Sequence, residues 1–139
     1  MDKLEKKHFS YSEWTKGRFS EAVTVTGPGK LIFLAGIGAE DDVTGETRHK
    51  DDIVAQTEFA YEKLRKVLAL HNATLSDVVK QVTYVTDIRF FPDVSKCRSE
   101  AYKGLNLPAH TFLNVTQLAF PGMLVEIDVT AVVPLDRAK

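Results

Sequence analysis

The chain has 139 residues, with 18 Lys plus Arg against 19 Asp plus Glu and a formal net charge of -1. That length fits one domain with a core of its own, and the charge balance speaks against partners recognised by bulk electrostatics, whether nucleic acid or an anionic membrane. A single cysteine, Cys97, excludes an intrachain disulfide, and no apolar run is long enough to span a bilayer. Residues 1–8 are charged and lack the apolar core of a signal peptide, so a reducing, cytoplasmic setting is expected. The histidines at 8, 49, 71 and 110 show no close ligand spacing, and neither metal nor cofactor is expected.

In chain order, residues 1–16 read as a polar lead-in to a single domain over 17–139. Residues 21–26 alternate weakly and read as a strand. Gly27-Pro28-Gly29 is a turn signal, and residues 30–36 follow as a second strand, which predicts a hairpin. A polar loop runs to Lys50. Asp51 and Asp52 then stand where a helix N-terminus favours negative charge. Ile53, Thr57, Ala60, Leu64, Val67, Leu68 and His71 share one helical face, and Asn72 suits the end of that helix.

Residues 77–87 are rich in valine and threonine and predict a strand, broken at Phe90-Phe91-Pro92. A second helix carries Val94, Cys97, Ala101 and Leu105 on one side. Residues 110–118 form a third β-rich run, and Phe120-Pro121-Gly122 a turn. The last strand, 124–133, alternates most clearly, with Val125, Ile127, Val129, Ala131 and Val133 opposite Glu126, Asp128 and Thr130. The predicted order is ββαβαββ, an α+β fold with one mixed sheet and two helices on one face. Leu31–Ala35 is apolar on both sides, as is 110–118, so the face without helices calls for cover. Another copy of the chain is the economical source of it.

Several spans resemble a known family: residues 31–39 (LIFLAGIGA), 56–70 (QTEFAYEKLRKVLAL), 75–87 (LSDVVKQVTYVTD) and 108–133 (PAHTFLNVTQLAFPGMLVEIDVTAVV). They are similar to the YjgF/RidA family over roughly 17–133. The resemblance implies a chorismate-mutase-like fold. It also implies a homotrimer with ligand clefts between subunits and hydrolysis of reactive enamines and imines to 2-oxo acids and ammonia without a cofactor. Carried over by position, Glu126 matches the family glutamate that orients water, and Gly36 the glycine after the first long strand. Phe19 matches a position often held by tyrosine. A polar cleft residue falls at Ser95 or Lys96. The family's carboxylate-binding arginine belongs at His110, which departs from the pattern: a largely neutral imidazole cannot form a charged bidentate fork. Weak turnover of simple 2-imino acids is therefore expected, with a gain in His110→Arg.

Each of these residues also has an ordinary structural reading. Cys97 reads as a small buried hydrophobe, and Asp128 as structural. Residues 40–42 read as an acidic surface loop, and Arg89 and Arg98 as solvated or ion-paired side chains. Either arginine is nonetheless a candidate for the charge His110 does not supply, and Arg98 joins Phe19, Gly36 and Ser95 as a candidate binding residue, with Glu126 and His110 as candidate catalytic ones. Three functions follow: a hydrolytic deaminase acting on a small enamine or imine, a trimer of the same fold that binds a small metabolite without turning it over, or, as a weaker option, a protective, chaperone-like surface role.

Overall fold

A computed structural model describes residues 3–137. Two helices lie on one face of a four-stranded mixed sheet, as the sequence predicts. The strands are β3 (Gly29–Phe33), β4 (Val78–Val85), β5 (Ala109–Asn114) and β6 (Val125–Pro134), in the order β3-β6-β4-β5. β6 runs antiparallel to both neighbours, whereas β4 and β5 are parallel. The parallel pair follows from the connection between them, since helix α2 (Phe91–Ala101) provides the crossover that a hairpin turn cannot.

Helix α1 (Ile53–Ala69) starts where Asp52 accepts from the Ala55 N–H, a side-chain cap worth about 1 kcal/mol. It ends before Asn72, which takes the left-handed conformation at φ 58. Ala60, Tyr61, Leu64 and Leu68 form its buried face, packed on Val78, Ile127, Val129 and Ala131 of the sheet. His71, expected on that face, is exposed. Pro92 stands in the first turn of α2, where its missing N–H loses no helical bond. It opens the helix as well as ending the stretch before it.

Two expectations are corrected. Residues 1–16 are more than a lead-in, because β1 (Glu5–Phe9) pairs antiparallel with β2 (Ala22–Thr26). The hairpin joining residues 21–26 to 30–36 does not form: β2 and β3 fall in different hydrogen-bonded sheets, and β3 pairs with β6 instead. Gly27 allows the chain to change sheets. It sits at φ 98, and a Cβ there would lie 2.3 Å from the Lys3 carbonyl oxygen.

The β1–β2 ribbon is fastened to the sheet by polar contacts. Lys6 donates to the Val132 carbonyl at 2.9 Å, and His8 Nδ1 meets the Leu107 carbonyl at 2.7 Å. Ser20 donates its N–H to Pro108 and its hydroxyl to Leu107. The segment before β2 wraps around the Glu21 carboxylate, which accepts from the Ser12 N–H and the Thr15 hydroxyl. These ties bring Phe19 to the start of β5.

On the face away from the helices, Leu31 and Phe33 are exposed, 58% and 75%. The sequence places apolar side chains there, and nothing among the described residues covers them.

Asp77, whose side chain is 5% exposed, receives the Thr74 N–H, Arg137 and Lys6. Burial opposes its charge, but these donors outweigh it and hold the carboxyl below its ordinary value. Asp77→Ala should cost roughly 2–3 kcal/mol, because it strands charged donors that now share one acceptor. Urea unfolding measures this, and a loss below about 0.5 kcal/mol, the range of an ordinary surface substitution, would show the cluster to be idle.

Candidate functional site

The strand pleat divides the predicted residues into two groups. Gln81 and Thr83 of β4 and His110 and Phe112 of β5 are cross-strand partners in the parallel register. Thr83 in turn pairs with Ile127, which is buried under the helices. His110 therefore lies on the helix-covered face. Glu126 precedes Ile127 in β6 and pairs with Tyr84, so it points to the opposite, open face. The two expected catalytic residues do not meet within one chain.

On the open face, Gly36 packs directly on Glu126. A Cβ at position 36 would lie 2.6 Å from the Glu126 Cδ, so only glycine leaves that carboxylate its place. Burial, then Glu40 and Asp128, raise the Glu126 carboxyl above its ordinary 4.5. Glu40 belongs to the run read as a surface loop. It is only partly exposed, and its carboxylate accepts the Gly38 N–H at 3.0 Å.

On the helix face, a buried polar chain reaches His110. Gln81 is fully buried. Its amide nitrogen donates to the Tyr61 hydroxyl and to Thr83 Oγ1, both at 3.0 Å, while its carbonyl accepts from the Tyr102 hydroxyl at 2.7 Å. Thr83 Oγ1 lies 2.9 Å from His110 Nε2. Arg98 Nη1 contacts His110 Nδ1. The same Nη1 lies 3.3 Å from Nε2, and since a guanidinium can only donate, the nearer contact fits the tautomer in which Nδ1 accepts and the Nε2–H faces Thr83. Burial, then the charges of Arg98 and Lys80, push the His110 pKa from 6.5 to about 3. The imidazole is neutral throughout the physiological range.

Arg98 differs from its ordinary reading. Arg89 is ion-paired with Asp87 at 2.7 Å, but Arg98 has no carboxylate partner among the described residues and is only partly exposed. It lines a cavity of about 320 Å³ together with Phe19, Tyr102, Leu107, Pro108 and His110. The Phe19 and His110 ring centres are 6.3 Å apart. Ser95, not Lys96, turns inward, and its hydroxyl is buried without a hydrogen-bond partner among the described residues. Cys97 is buried, with its thiol pKa raised first by burial. Among the described residues no cluster of His, Cys, Asp or Glu could hold a metal ion, and no helix is long and apolar enough to cross a membrane.

The model of the family described as Endoribonuclease L-PSP matches residues 12–133. The chain belongs to the YjgF/RidA family. Within this family it is 35% identical to a RutC family protein of Pyrococcus abyssi, over 83% of this chain and 86% of that one. Protein DfrA of Myxococcus xanthus is 36% identical, over 84% and 86%. Among solved structures, a Rid family protein of unknown function from Yersinia pestis superposes with a TM-score of 0.82 at 29% identity, covering 96% of this chain and all of that one. A YjgF/YER057c/UK114 family member from Mycobacterium tuberculosis gives a TM-score of 0.65 at 33% identity, over 93% and 100%. The family holds endoribonuclease-like as well as Rid proteins. In this YjgF/RidA chain, an arginine at position 110 would meet Arg98 as a like charge. The gain expected from His110→Arg alone is therefore withdrawn.

Because its folded pKa is depressed, His110 contributes stability that is full above 6.5. That stability is lost as pH falls from 6.5 toward 3, where the unfolded chain takes a proton the folded chain refuses. Urea midpoints from pH 7.5 to 4.5 should fall more steeply for the native chain than for His110→Gln. Parallel slopes would show that the imidazole titrates normally.

Proposed function

We propose that the chain is a cofactor-independent hydrolytic deaminase of small enamine or imine carboxylates, assembled as a homotrimer, with Glu126 handling the water. The observation that carries this reading is the contact between Gly36 and Glu126. A partly buried carboxyl of raised pKa lies against Gly36, and any side chain at that position would push it aside. A carboxylate tuned upward is a better base than an ordinary one. Water adds its oxygen to the imine carbon while one of its protons passes through Glu126 to the nitrogen. As the C–N bond breaks, the remaining hydroxyl proton passes to the amine, so ammonia leaves and the carbon keeps a C=O, giving a 2-oxo acid.

The sheet geometry supports the oligomeric part. Glu126 and the Arg98–His110 pair lie on opposite faces of one sheet, so a single substrate can use both only between two copies. The exposed Leu31 and Phe33 share the Glu126 face and suit burial against a neighbour. A cavity near 320 Å³ fits a small metabolite and is far smaller than a groove following several nucleotides. A cytoplasmic setting goes with this reading.

The separation of the two groups also favours the second reading, a metabolite-binding trimer without turnover. Freshly generated 2-aminoacrylate decides between them. Because Arg98 supplies a cation beside the neutral His110, the weak turnover expected from that histidine alone is set aside: the native chain should accelerate pyruvate release, and Glu126→Gln should lower the rate roughly 100-fold or more. Activity should rise with pH through a Glu126 pKa above 4.5, because the base must be ionised. No acceleration by the native chain, or equal rates in Glu126→Gln, would remove the deaminase reading and leave the binding one.

A further inference from the structure

We propose that Glu40 is a positioning residue for Glu126: fixed on the Gly38 N–H, its carboxylate holds a second negative charge on the open face and so sets when Glu126 takes up and releases its proton. Calling this a contribution to hydrolysis rests on the deaminase reading; the hold of one carboxylate on the other does not.

The first ground is the lie of residues 36–38. Ile37 and Ile127 exchange both backbone hydrogen bonds, at 2.7 and 2.8 Å, so this short segment runs as an added strand beside β6. Both isoleucines are buried under the helices. Gly36 and Gly38 on one side, and Glu126 and Asp128 on the other, therefore turn to the open face. Neither glycine puts a side chain between the carboxylates. A Cβ at position 36 would lie 2.7 Å from Glu126 Oε2, and one at position 38 would lie 3.2 Å from Glu40 Oε1. Two residues of extended chain span roughly 7 Å, less than the ~8 Å over which physiological salt screens a charge.

The anchoring of Glu40 is the second ground. Its Oε2 accepts the Gly38 N–H at 3.0 Å, and its backbone carbonyl accepts from Lys63 Nζ at 3.1 Å. Lys63 carries its charge to Asp42, 3.2 Å away, and not to the Glu40 carboxylate. The Glu40 side chain is thus held in place without being neutralised.

The charges around Glu126 are the third ground. It faces Glu40 from this loop, Asp128 from its own strand and Tyr84, its cross-strand partner on β4. Lys80, the charged residue of β4, donates to Thr111. Among the described residues no cation pairs with the carboxylate of Glu40, Glu126 or Asp128. Like charges this close oppose each other's ionisation. After burial, Glu40 is the larger of the two charges that raise the Glu126 carboxyl, and Asp128 the smaller.

Carbon-13 NMR of the glutamate side-chain carboxyls, followed on the full-length protein from pH 3.5 to 8, tests the proposal. The Glu126 resonance is identified by its loss in Glu126→Gln. Glu40→Gln keeps an acceptor for the Gly38 N–H and removes only the charge. It should lower the Glu126 midpoint by about half a pH unit or more, because a neighbouring negative charge no longer opposes ionisation. Circular dichroism and sedimentation check fold and assembly; should Glu40→Gln lose either, Glu40→Ala takes its place with the same direction expected. Turnover of 2-aminoacrylate gives the second readout. In Glu40→Gln the acid limb of kcat/KM should move to lower pH by the same amount, with the plateau lowered roughly two- to threefold and KM unchanged. A residue that only props the loop would lower the plateau and leave the limb where it is. A Glu126 midpoint that stays put in the folded variants would overturn the inference. A shifted midpoint in a chain that does not hydrolyse 2-aminoacrylate would uphold the coupling and end the deaminase reading alone. Hydrolysis that needs Glu126, with an acid limb unmoved in Glu40→Gln, would overturn this inference and leave that reading intact.

Discussion

Gln81 lies in the middle of β4 with no exposed surface, and its amide must satisfy donors and acceptor inside an apolar core. It does so through Tyr61 from α1, Tyr102 from the end of α2, and Thr83 two residues along its own strand. A buried amide left unpaired costs on the order of 1–3 kcal/mol for each lost group. The two helices and the strand are thus held in one mutual placement more strictly than aliphatic packing alone requires. Gln56 plays a similar part at the other end of α1, where its amide joins the His49 and Gly122 carbonyls to the Leu124 N–H.

The chemistry of the helix face grows out of that chain. Thr83 is oriented by Gln81, His110 by Thr83, and Arg98 by His110. An imidazole in this setting has donor and acceptor already assigned, and a cation beside it. Both burial and that charge oppose protonation, so the ring serves as a neutral acceptor. The resemblance implies an arginine at position 110; this chain has a neutral imidazole there, and the cation beside it, Arg98, stands on the neighbouring helix. The open face follows a separate constraint, the close approach of Gly36 to Glu126, and the pleat keeps the two apart within one chain.

Much of this was legible in the residues. The alternation of Val125, Ile127, Val129, Ala131 and Val133 defined β6, and the heptad-like spacing from Ile53 to Leu68 defined the buried face of α1. β1 was missed because Glu5-Lys6-Lys7-His8-Phe9 belongs to a two-stranded ribbon that buries little, so it has no apolar stripe to read. The hairpin was misread because a turn signal at residues 27–29 says that the chain bends and not which strand it joins. β3 finds its partner about a hundred residues later, and local patterning carries no such information. Glu126 and Gly36 were reached through resemblance, and their contact was not. Gln81 looked like one polar position in a β-rich run. Arg98 was one of two arginines that could supply the charge His110 lacks; that it, unlike Arg89, has no carboxylate partner among the described residues is a property of the folded chain.

The central claim is that His110 is an uncharged acceptor that aims Arg98. Its imidazole resonances, followed by nitrogen-15 NMR from pH 8 to 4.5, test this most directly. The account predicts a proton on Nε2, an unprotonated Nδ1 and no titration across that range, in keeping with a pKa near 3. A ring that titrates near 6.5, or carries its neutral proton on Nδ1, would contradict it.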